Sequence, residues 1–148
     1  MSNQPTGKAI TVKETFSRET KVSIQIDASA ATVWQILTNA SDWPRWNSTI
    51  VSLEGNIAPN STVKLVSTLD ESRTFSLTVK ELEPEKRLVW GDRQGSRVYT
   101  ITPSGNGVIF SMSEKIGGFL FPLFSRFIPE FDASFEQFAA DLKREAEK

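Results

Sequence analysis

The sequence predicts an α+β fold, in which an antiparallel sheet of about seven strands is covered by a long C-terminal helix. From residue 50 to residue 114, short segments of alternating apolar and polar residues are separated by turn-forming residues, a pattern typical of an antiparallel meander. The final stretch changes to helical spacing, with Phe131, Phe135, Phe138 and Leu142 forming one apolar stripe. A sheet with one apolar face needs a cover, and this helix can supply it.

The N-terminal part is expected to supply one strand and two short helices. Residues 1–7 are polar and are predicted to be a disordered tail. The segment "KVSIQID" alternates as a half-buried strand does. Ser29 is a suitable N-cap for a helix that ends near Asn39. In "SDWPRWN", Pro44 suits the first position of a second short helix and favours an extended conformation for Trp43.

The meander that follows contains six predicted strands. Their sequences are "TIVSLEG", "STVKLVSTL", "RTFSLTVKELE", "RLVWGD", "RVYTITP" and "GVIFSMSEK". In the third of these strands, Phe75 and Leu77 share the apolar face. If the last hairpin loop is "SGNG", the register places three pairs on the same face of the sheet: Ile101 with Phe110, Tyr99 with Met112, and Arg97 with Glu114.

The segment before the terminal helix is expected to be kinked. Pro122 and Pro129 interrupt it, and a proline within a helix removes a backbone hydrogen bond. We expect a short helical piece from Phe119 to Phe127 and a bend near Pro129. Residues 119–128 are therefore predicted to form a gate, because a helix that lacks hydrogen bonds opens at lower cost than a continuous one.

The composition narrows the range of functions. The 148 residues fit a single domain over 1–148, and 17 basic against 18 acidic residues give a net charge of −1 without the basic patch of a nucleic-acid binder. The lack of histidine and cysteine argues against thiol catalysis, Ser-His-Asp hydrolysis and zinc sites. We expect no metal and no cofactor. With neither a signal-like run nor a membrane-spanning segment in the sequence, we expect a cytoplasmic protein that is a monomer or a weak dimer.

Two segments of the chain resemble a known superfamily. They are "ATVWQILTNASDWPRWNSTI" and "SEKIGGFLFPLF…FEQFAADLKREAEK". In both, the chain is similar to the START-like or Bet v 1-like superfamily, in its bacterial SRPBCC branch of polyketide cyclases/dehydrases and lipid-transport proteins. The resemblance implies a helix-grip fold, in which the sheet wraps around the C-terminal helix and encloses a hydrophobic cavity. It also implies a hydrophobic or amphipathic ligand, such as a lipid, an isoprenoid or a polyketide-like compound.

The ligand-binding residues are predicted from the apolar face of the sheet and the aromatic C-terminal part. Large apolar side chains with a few polar groups are what small-molecule pockets require. The predicted set is Trp46, Asn47, Phe75, Leu77, Trp90, Arg97, Tyr99, Ile101, Phe110, Met112, Phe121, Phe124, Phe131 and Phe135. Alternatively, the aromatic residues of 117–131 form ordinary core or dock on a membrane or a partner. Likewise, Trp43, Trp46 and Asn47 either close the end of the sheet or reach the mouth of the cavity.

The sequence is also compatible with two other functions. The pair of Arg97 and Glu114 is either a structural salt bridge or the polar anchor of a ligand. A cyclase or dehydratase would need an acid or base in the cavity, for which the candidates are Glu114, Tyr99 and Asp92, with Arg97 as an oxyanion stabiliser. A partner-binding module would instead have a filled interior and an exposed aromatic patch.

Overall fold

The computed structural model describes residues 5–148, and within them one curved antiparallel sheet of eight strands packs against a long C-terminal helix. The strands are β1 (Ile10–Lys13), β2 (Ser17–Ile26), β3 (Ile50–Glu54), β4 (Thr62–Ser67), β5 (Asp70–Glu83), β6 (Arg87–Gly91), β7 (Gly95–Ser104) and β8 (Gly107–Gly117). The helices are α1 (Ala30–Thr38), α2 (Trp43–Trp46), α3 (Phe121–Phe124) and α4 (Asp132–Ala146), with 3-10 turns at Ala40–Asp42 and Ser125–Phe127.

The sheet confirms the predicted meander and adds one strand to it. Its order is β1-β2-β8-β7-β6-β5-β4-β3, so the six strands from β3 to β8 are neighbours in sequence and in space. The predicted count of about seven strands misses β1, which pairs with β2 through Thr11 and Thr20. The apolar residues of β1, Ile10 and Val12, are exposed, so this short edge strand does not show the usual signal of an apolar face turned to the core.

The predicted disordered tail is wrong for Thr6 and Gly7. Thr6 forms a bridge with Ile24, and the N–H of Gly7 donates to the carbonyl of Ser23 at 2.9 Å. Gly7 has a φ of +78°, a left-handed conformation that glycine adopts readily. The chain is thus bound to the sheet from Thr6 onward, and residues 1–4 of the predicted tail lie outside the described residues.

The two helices between β2 and β3 form where the sequence places them. The hydroxyl of Ser29 accepts the N–H of Thr32 at 3.1 Å and so caps α1 as predicted. The prediction of an extended Trp43 is wrong, because its φ of −54° and ψ of −45° are helical. Tertiary packing explains the difference: Trp43 is buried, and its indole N–H donates to the carbonyl of Leu37 at 3.0 Å.

The kinked segment and the terminal helix also follow the prediction. The helical turns over Phe121–Phe127 end at Ile128, whose backbone is extended, and α4 begins after Pro129 at Asp132. The predicted apolar stripe of α4 is buried against the sheet. Below the middle of α4, a continuous aromatic cluster fills the space between helix and sheet. Its members are Trp43, Trp90, Tyr99, Phe110 and Phe138.

The turn after α2 is bound to α4 by the buried carboxylate of Asp141. This carboxylate accepts the N–H of Ser48 at 2.8 Å and its hydroxyl at 2.7 Å. It also accepts hydrogen bonds from the side chains of Gln137, at 2.8 Å, and Arg144, at 2.9 Å. Burial by itself would raise the pKa of Asp141, but these hydrogen bonds outweigh it and hold the pKa below its ordinary value of 3.8.

The substitution Asp141→Asn should lower the free energy of unfolding at neutral pH by about 1–3 kcal/mol, because an amide cannot accept all four hydrogen bonds. Since the pKa of Asp141 is lowered on folding, the stabilisation is present above the unfolded-state pKa of about 3.9 and is lost as the pH falls through the folded-state value. Urea unfolding at several pH values should show the two proteins converging in acid. A difference that stayed constant down to low pH would contradict a charge-dependent role.

Candidate functional site

A cavity of about 180 Å³ lies between the concave face of the sheet and the chain segment that leads into α4. Its floor is formed by side chains from β3 to β8, and its roof by residues 127–131 and Ser134 of α4. Apolar side chains are interspersed with nine polar or charged ones, so the lining is mixed in character. The main apolar walls are Ile50, Leu65, Phe75, Leu77, Trp90, Ile116, Ile128 and Phe131.

The most enclosed charged groups of the cavity are those of Arg97 and Glu114. The register of β7 and β8 confirms the predicted pairing, and Arg97 Nε–H donates to Glu114 Oε1 at 2.8 Å. The two side chains are only 17% and 19% exposed, and the guanidinium lies 4.9 Å from the ring centroid of Phe135. Within residues 5–148, Arg97 forms a well-oriented side-chain hydrogen bond with Glu114 alone; its guanidinium also neighbours the Tyr99 hydroxyl and belongs to the cavity lining.

Tyr99 lies beside this pair but within the core. Its ring meets Trp90 edge to face at 5.3 Å, and its buried hydroxyl has no hydrogen-bond partner in the described part of the chain. Burial raises the pKa of Tyr99 well above its usual value, although the charge of Arg97 opposes the rise. Burial would lower the pKa of Arg97, but Glu114 reverses this and the net shift is upward. At neutral pH, Tyr99 is therefore protonated and Arg97 is charged.

Five of the predicted ligand-binding residues line the cavity, and the other nine do not. Those in the lining are Phe75, Leu77, Trp90, Arg97 and Phe131, and the candidate acids Glu114 and Asp92 lie there as well. Those packed into the core are Trp46, Asn47, Tyr99, Ile101, Phe110, Met112 and Phe135. The two that remain, Phe121 and Phe124, contact each other in α3 with their ring centroids 5.7 Å apart.

Trp43, Trp46 and Asn47 are buried, as expected if they close the end of the sheet. Trp46 is buried against Phe138, with the ring centroids 5.7 Å apart. The side-chain oxygen of Asn47 accepts the N–H of Thr49 at 3.0 Å and its hydroxyl at 2.7 Å, which shapes the turn into β3. The indole N–H of Trp46 and the side-chain amide nitrogen of Asn47 have no partner among residues 5–148. A ligand-binding role for these two side chains stays a prediction.

Several residues of the cavity lining were not identified by sequence reasoning, whereas Asp92 beside them was a predicted candidate acid. The missed residues come from the connection between β4 and β5, from the start of β5 and from the turn that joins β6 and β7. Arg73 places its guanidinium 4.4 Å from the ring centroid of Phe75. Its spacing of two residues from Phe75 was the available signal, because alternate residues of a strand share a face. The carboxylate of Asp92 accepts the N–H groups of Gln94, at 2.8 Å, and Gly95, at 3.1 Å, so it shapes the second turn.

Residues 119–128, the predicted gate, form what we call the flap. Arg18 of β2 holds its end: one guanidinium nitrogen donates to the carbonyl of Pro129 at 2.7 Å and another to that of Ile128 at 3.4 Å. Arg18 is buried, and its guanidinium lies 4.7 Å from the ring centroid of Phe131. At the other end, the N–H of Gly118 donates to the carbonyl of Phe16 at 3.0 Å. The flap is thus fixed at both ends.

None of the helices in residues 5–148 has the length and apolarity needed to cross a membrane. In the same residues there is no group of three or more side chains of the metal-binding types His, Cys, Asp and Glu.

The sequence pattern of the family described as "Polyketide cyclase / dehydrase and lipid transport" matches residues 17–147. The chain belongs to this family. No curated protein matches it.

Solved structures with the same fold are distant in sequence. A conserved protein of unknown function from Enterococcus faecalis, EF2215, is 17% identical with a TM-score of 0.69, over 95% of this chain and 78% of that one. MLL2253 from Mesorhizobium loti is 18% identical with a TM-score of 0.66, over 86% and 95% of the two chains. DynU16, a putative protein in the dynemicin biosynthetic locus, is 16% identical with a TM-score of 0.63; the match covers 84% of this chain and 45% of that one. At these identities the likeness concerns the fold.

The substitution Arg18→Lys should loosen the flap. Lysine keeps the positive charge but lacks the planar guanidinium that reaches two carbonyls and stacks on Phe131. The amide of Ile128 donates to the carbonyl of Ser125. We expect this amide to exchange with solvent roughly tenfold to a hundredfold faster, because the variant loses hydrogen bonds from a charged group. Hydrogen exchange followed by NMR measures this.

The matched control for Arg18→Lys is Lys13→Ala, which removes the exposed ion pair between Lys13 and Glu130 next to the flap. Exposed pairs contribute little, so Lys13→Ala should leave the exchange rate of the flap nearly unchanged. Equal effects of the two substitutions would show that Arg18 does not hold the flap closed.

Proposed function

We propose that this protein binds an amphipathic small molecule in the cavity between the sheet and the start of α4. The apolar part of the ligand would lie against Phe75, Leu77 and Phe131, and its polar group would accept hydrogen bonds from Arg97. The observation that supports this most directly is the half-buried ion pair of Arg97 with Glu114, in a cavity whose walls also include large apolar side chains. The description of the family, which includes lipid transport, supports the same class of ligand.

The size of the cavity limits what it can hold with the flap in its present position. A dry cavity of roughly 150 Å³ accepts one benzene ring, and drug-sized pockets measure about 300–1,000 Å³. At about 180 Å³, the cavity fits a single ring or a short acyl chain. A lipid, an isoprenoid or a polyketide-like compound would extend past Phe127 and Ile128, which requires the flap to move.

Binding is favoured here over catalysis by the state of the candidate groups. A general base must be deprotonated near neutral pH, and burial keeps Tyr99 protonated. Asp92 is engaged by two backbone N–H groups of its own turn, and the carboxylate of Glu114 is engaged by Arg97. We therefore propose that the ion pair of Arg97 and Glu114 positions a bound molecule. A cyclase or dehydratase role would require that Glu114→Gln abolish turnover while binding persists.

Filling the cavity should abolish binding. Ser134→Trp places a large side chain in the roof, whereas Ala133→Trp places the same side chain on the exposed side of α4. Octanoate, a short acyl chain with a carboxylate, is a suitable probe, and NMR titration of labelled protein detects weak binding. We expect Ser134→Trp to weaken octanoate binding by about tenfold or more, because a filled site excludes the ligand. Ala133→Trp should bind as the unsubstituted protein does.

Two results would contradict the proposed function. Equal octanoate binding by the two tryptophan variants would place the binding site elsewhere. Absence of octanoate binding, together with native mass spectrometry and organic extraction that reveal no apolar adduct on the purified protein, would argue against a ligand carrier.

The substitution Arg97→Ala should cost more free energy of octanoate binding than free energy of folding. Loss of a charged hydrogen bond to the carboxylate costs about 1.5–3 kcal/mol, or roughly tenfold to a hundredfold in Kd. The matched control is Arg87→Ala, because Arg87 forms a comparable ion pair with Glu81 at 2.7 Å on exposed parts of β6 and β5. Titration and thermal unfolding of both variants give the comparison. A larger loss of stability than of affinity in Arg97→Ala would make the pair with Glu114 structural.

A further inference from the structure

The outer face of the flap carries large apolar side chains that are exposed. Phe119 is 88% exposed, Leu123 71% and Phe127 73%, and Leu120 is 55% exposed. In the same segment Phe121 is only 4% exposed and Phe124 is half-buried, so the flap directs some of its aromatic side chains inward and others outward. A contiguous exposed apolar patch of this kind marks a contact surface.

This patch is continuous with the mouth of the cavity. Phe127 belongs both to the exposed face and to the cavity lining, and the next residue, Ile128, is part of the same lining. Any surface that contacts the outside of the flap therefore lies next to the entrance of the proposed binding site. A ligand could pass between that surface and the cavity with little exposure of its apolar part to water.

The charge within the patch is positive. Arg126 is the only charged residue between residues 116 and 129. Of the acidic residues at its borders, Glu114 pairs with Arg97 and Glu130 pairs with Lys13. The guanidinium of Arg126 lies 4.9 Å from the ring centroid of Phe127, and within residues 5–148 it forms no ion pair. An arginine whose stem lies along apolar surface while its head stays in water is suited to the boundary between acyl chains and phosphate groups.

We propose that the outer face of the flap docks on the surface of an anionic lipid bilayer. Phe119, Leu123 and Phe127 would insert among the acyl chains at the interface, and Arg126 would contact lipid phosphates. The docking itself rests on the exposed patch; only its purpose, exchange of ligand between bilayer and cavity, rests on the proposed function.

A second copy of the chain is a poorer occupant of the same surface. Four exposed side chains of roughly 100–200 Å² each offer about 400–800 Å², at most the roughly 800 Å² that each partner buries in a stable interface. Insertion into a bilayer has no such minimum area, because a few apolar anchors combined with one basic residue give reversible binding.

Vesicle cosedimentation tests the docking. The vesicles are phosphatidylcholine alone, or phosphatidylcholine with about a third phosphatidylglycerol. We expect stronger binding to the anionic vesicles, reduced by added salt. Phe119→Ser/Leu123→Ser should weaken it by roughly tenfold to a hundredfold. The matched control is Ile10→Thr/Val12→Thr, which removes two exposed apolar side chains from β1 and should bind as the unsubstituted protein does.

The electrostatic part is tested by a pair of charge reversals. Arg126→Glu should weaken binding to the anionic vesicles by about tenfold, whereas Lys64→Glu, which makes the same change of charge on an exposed residue of β4, should have little effect. Equal effects of the two reversals would show that Arg126 acts only through the net charge of the protein. That result would contradict its contact with lipid phosphates.

Other outcomes would overturn the docking. These are an absence of vesicle binding, binding that the flap variants leave unchanged, and a dimer in sedimentation equilibrium that Phe119→Ser/Leu123→Ser converts to monomer. Octanoate titration without vesicles separates the two proposals, because the flap variants should retain octanoate binding. Vesicle binding that depends on the flap, in a protein that binds no octanoate, would support the docking and contradict the proposed function.

Discussion

The packing of α4 across the concave face of the sheet is the interaction on which the rest of the structure depends. Phe138 is the residue of α4 at the centre of this packing, because its ring meets Trp43, Tyr99 and Phe110 with centroid separations of 5.4 to 6.1 Å. Burial of aromatic side chains on this scale is the largest favourable contribution available to a domain of this size. The carboxylate of Asp141 fixes the helix along its axis, since it bonds to the turn after α2.

The same packing explains where the cavity lies. The aromatic stripe of α4 fills the space between the helix and the part of the sheet that it faces. Pro129 limits the extension of α4 toward its N-terminus, because proline lacks the N–H that a helix interior needs. Beyond that point the chain continues as the flap, which covers the sheet without filling the space below. The widest apolar walls and the ion pair of Arg97 and Glu114 lie there. The cavity is thus a consequence of where the helix stops.

The flap combines two properties that usually conflict. Its end is bonded to a buried arginine, Arg18, while its outer face exposes Phe119, Leu123 and Phe127 to water. Exposed apolar side chains contribute little to the stability of an isolated protein, and the docking proposed above would give those at the cavity entrance a role. The inner face of the flap would then retain the ligand, and its outer face would allow exchange of the ligand.

The sequence by itself determined the order of elements from β2 onward, the six-stranded meander, the cap at Ser29 and the pairing of Arg97 with Glu114, because each depends on local periodicity or on one hairpin loop. Only the tertiary structure decided which inward-facing side chains meet a cavity. Tyr99 and Phe75 both face inward, yet one lies below α4 and the other beside the flap. Alternation of residues along a strand specifies a face of the sheet, whereas a cavity depends on what covers that face, and the cover comes from a distant part of the chain.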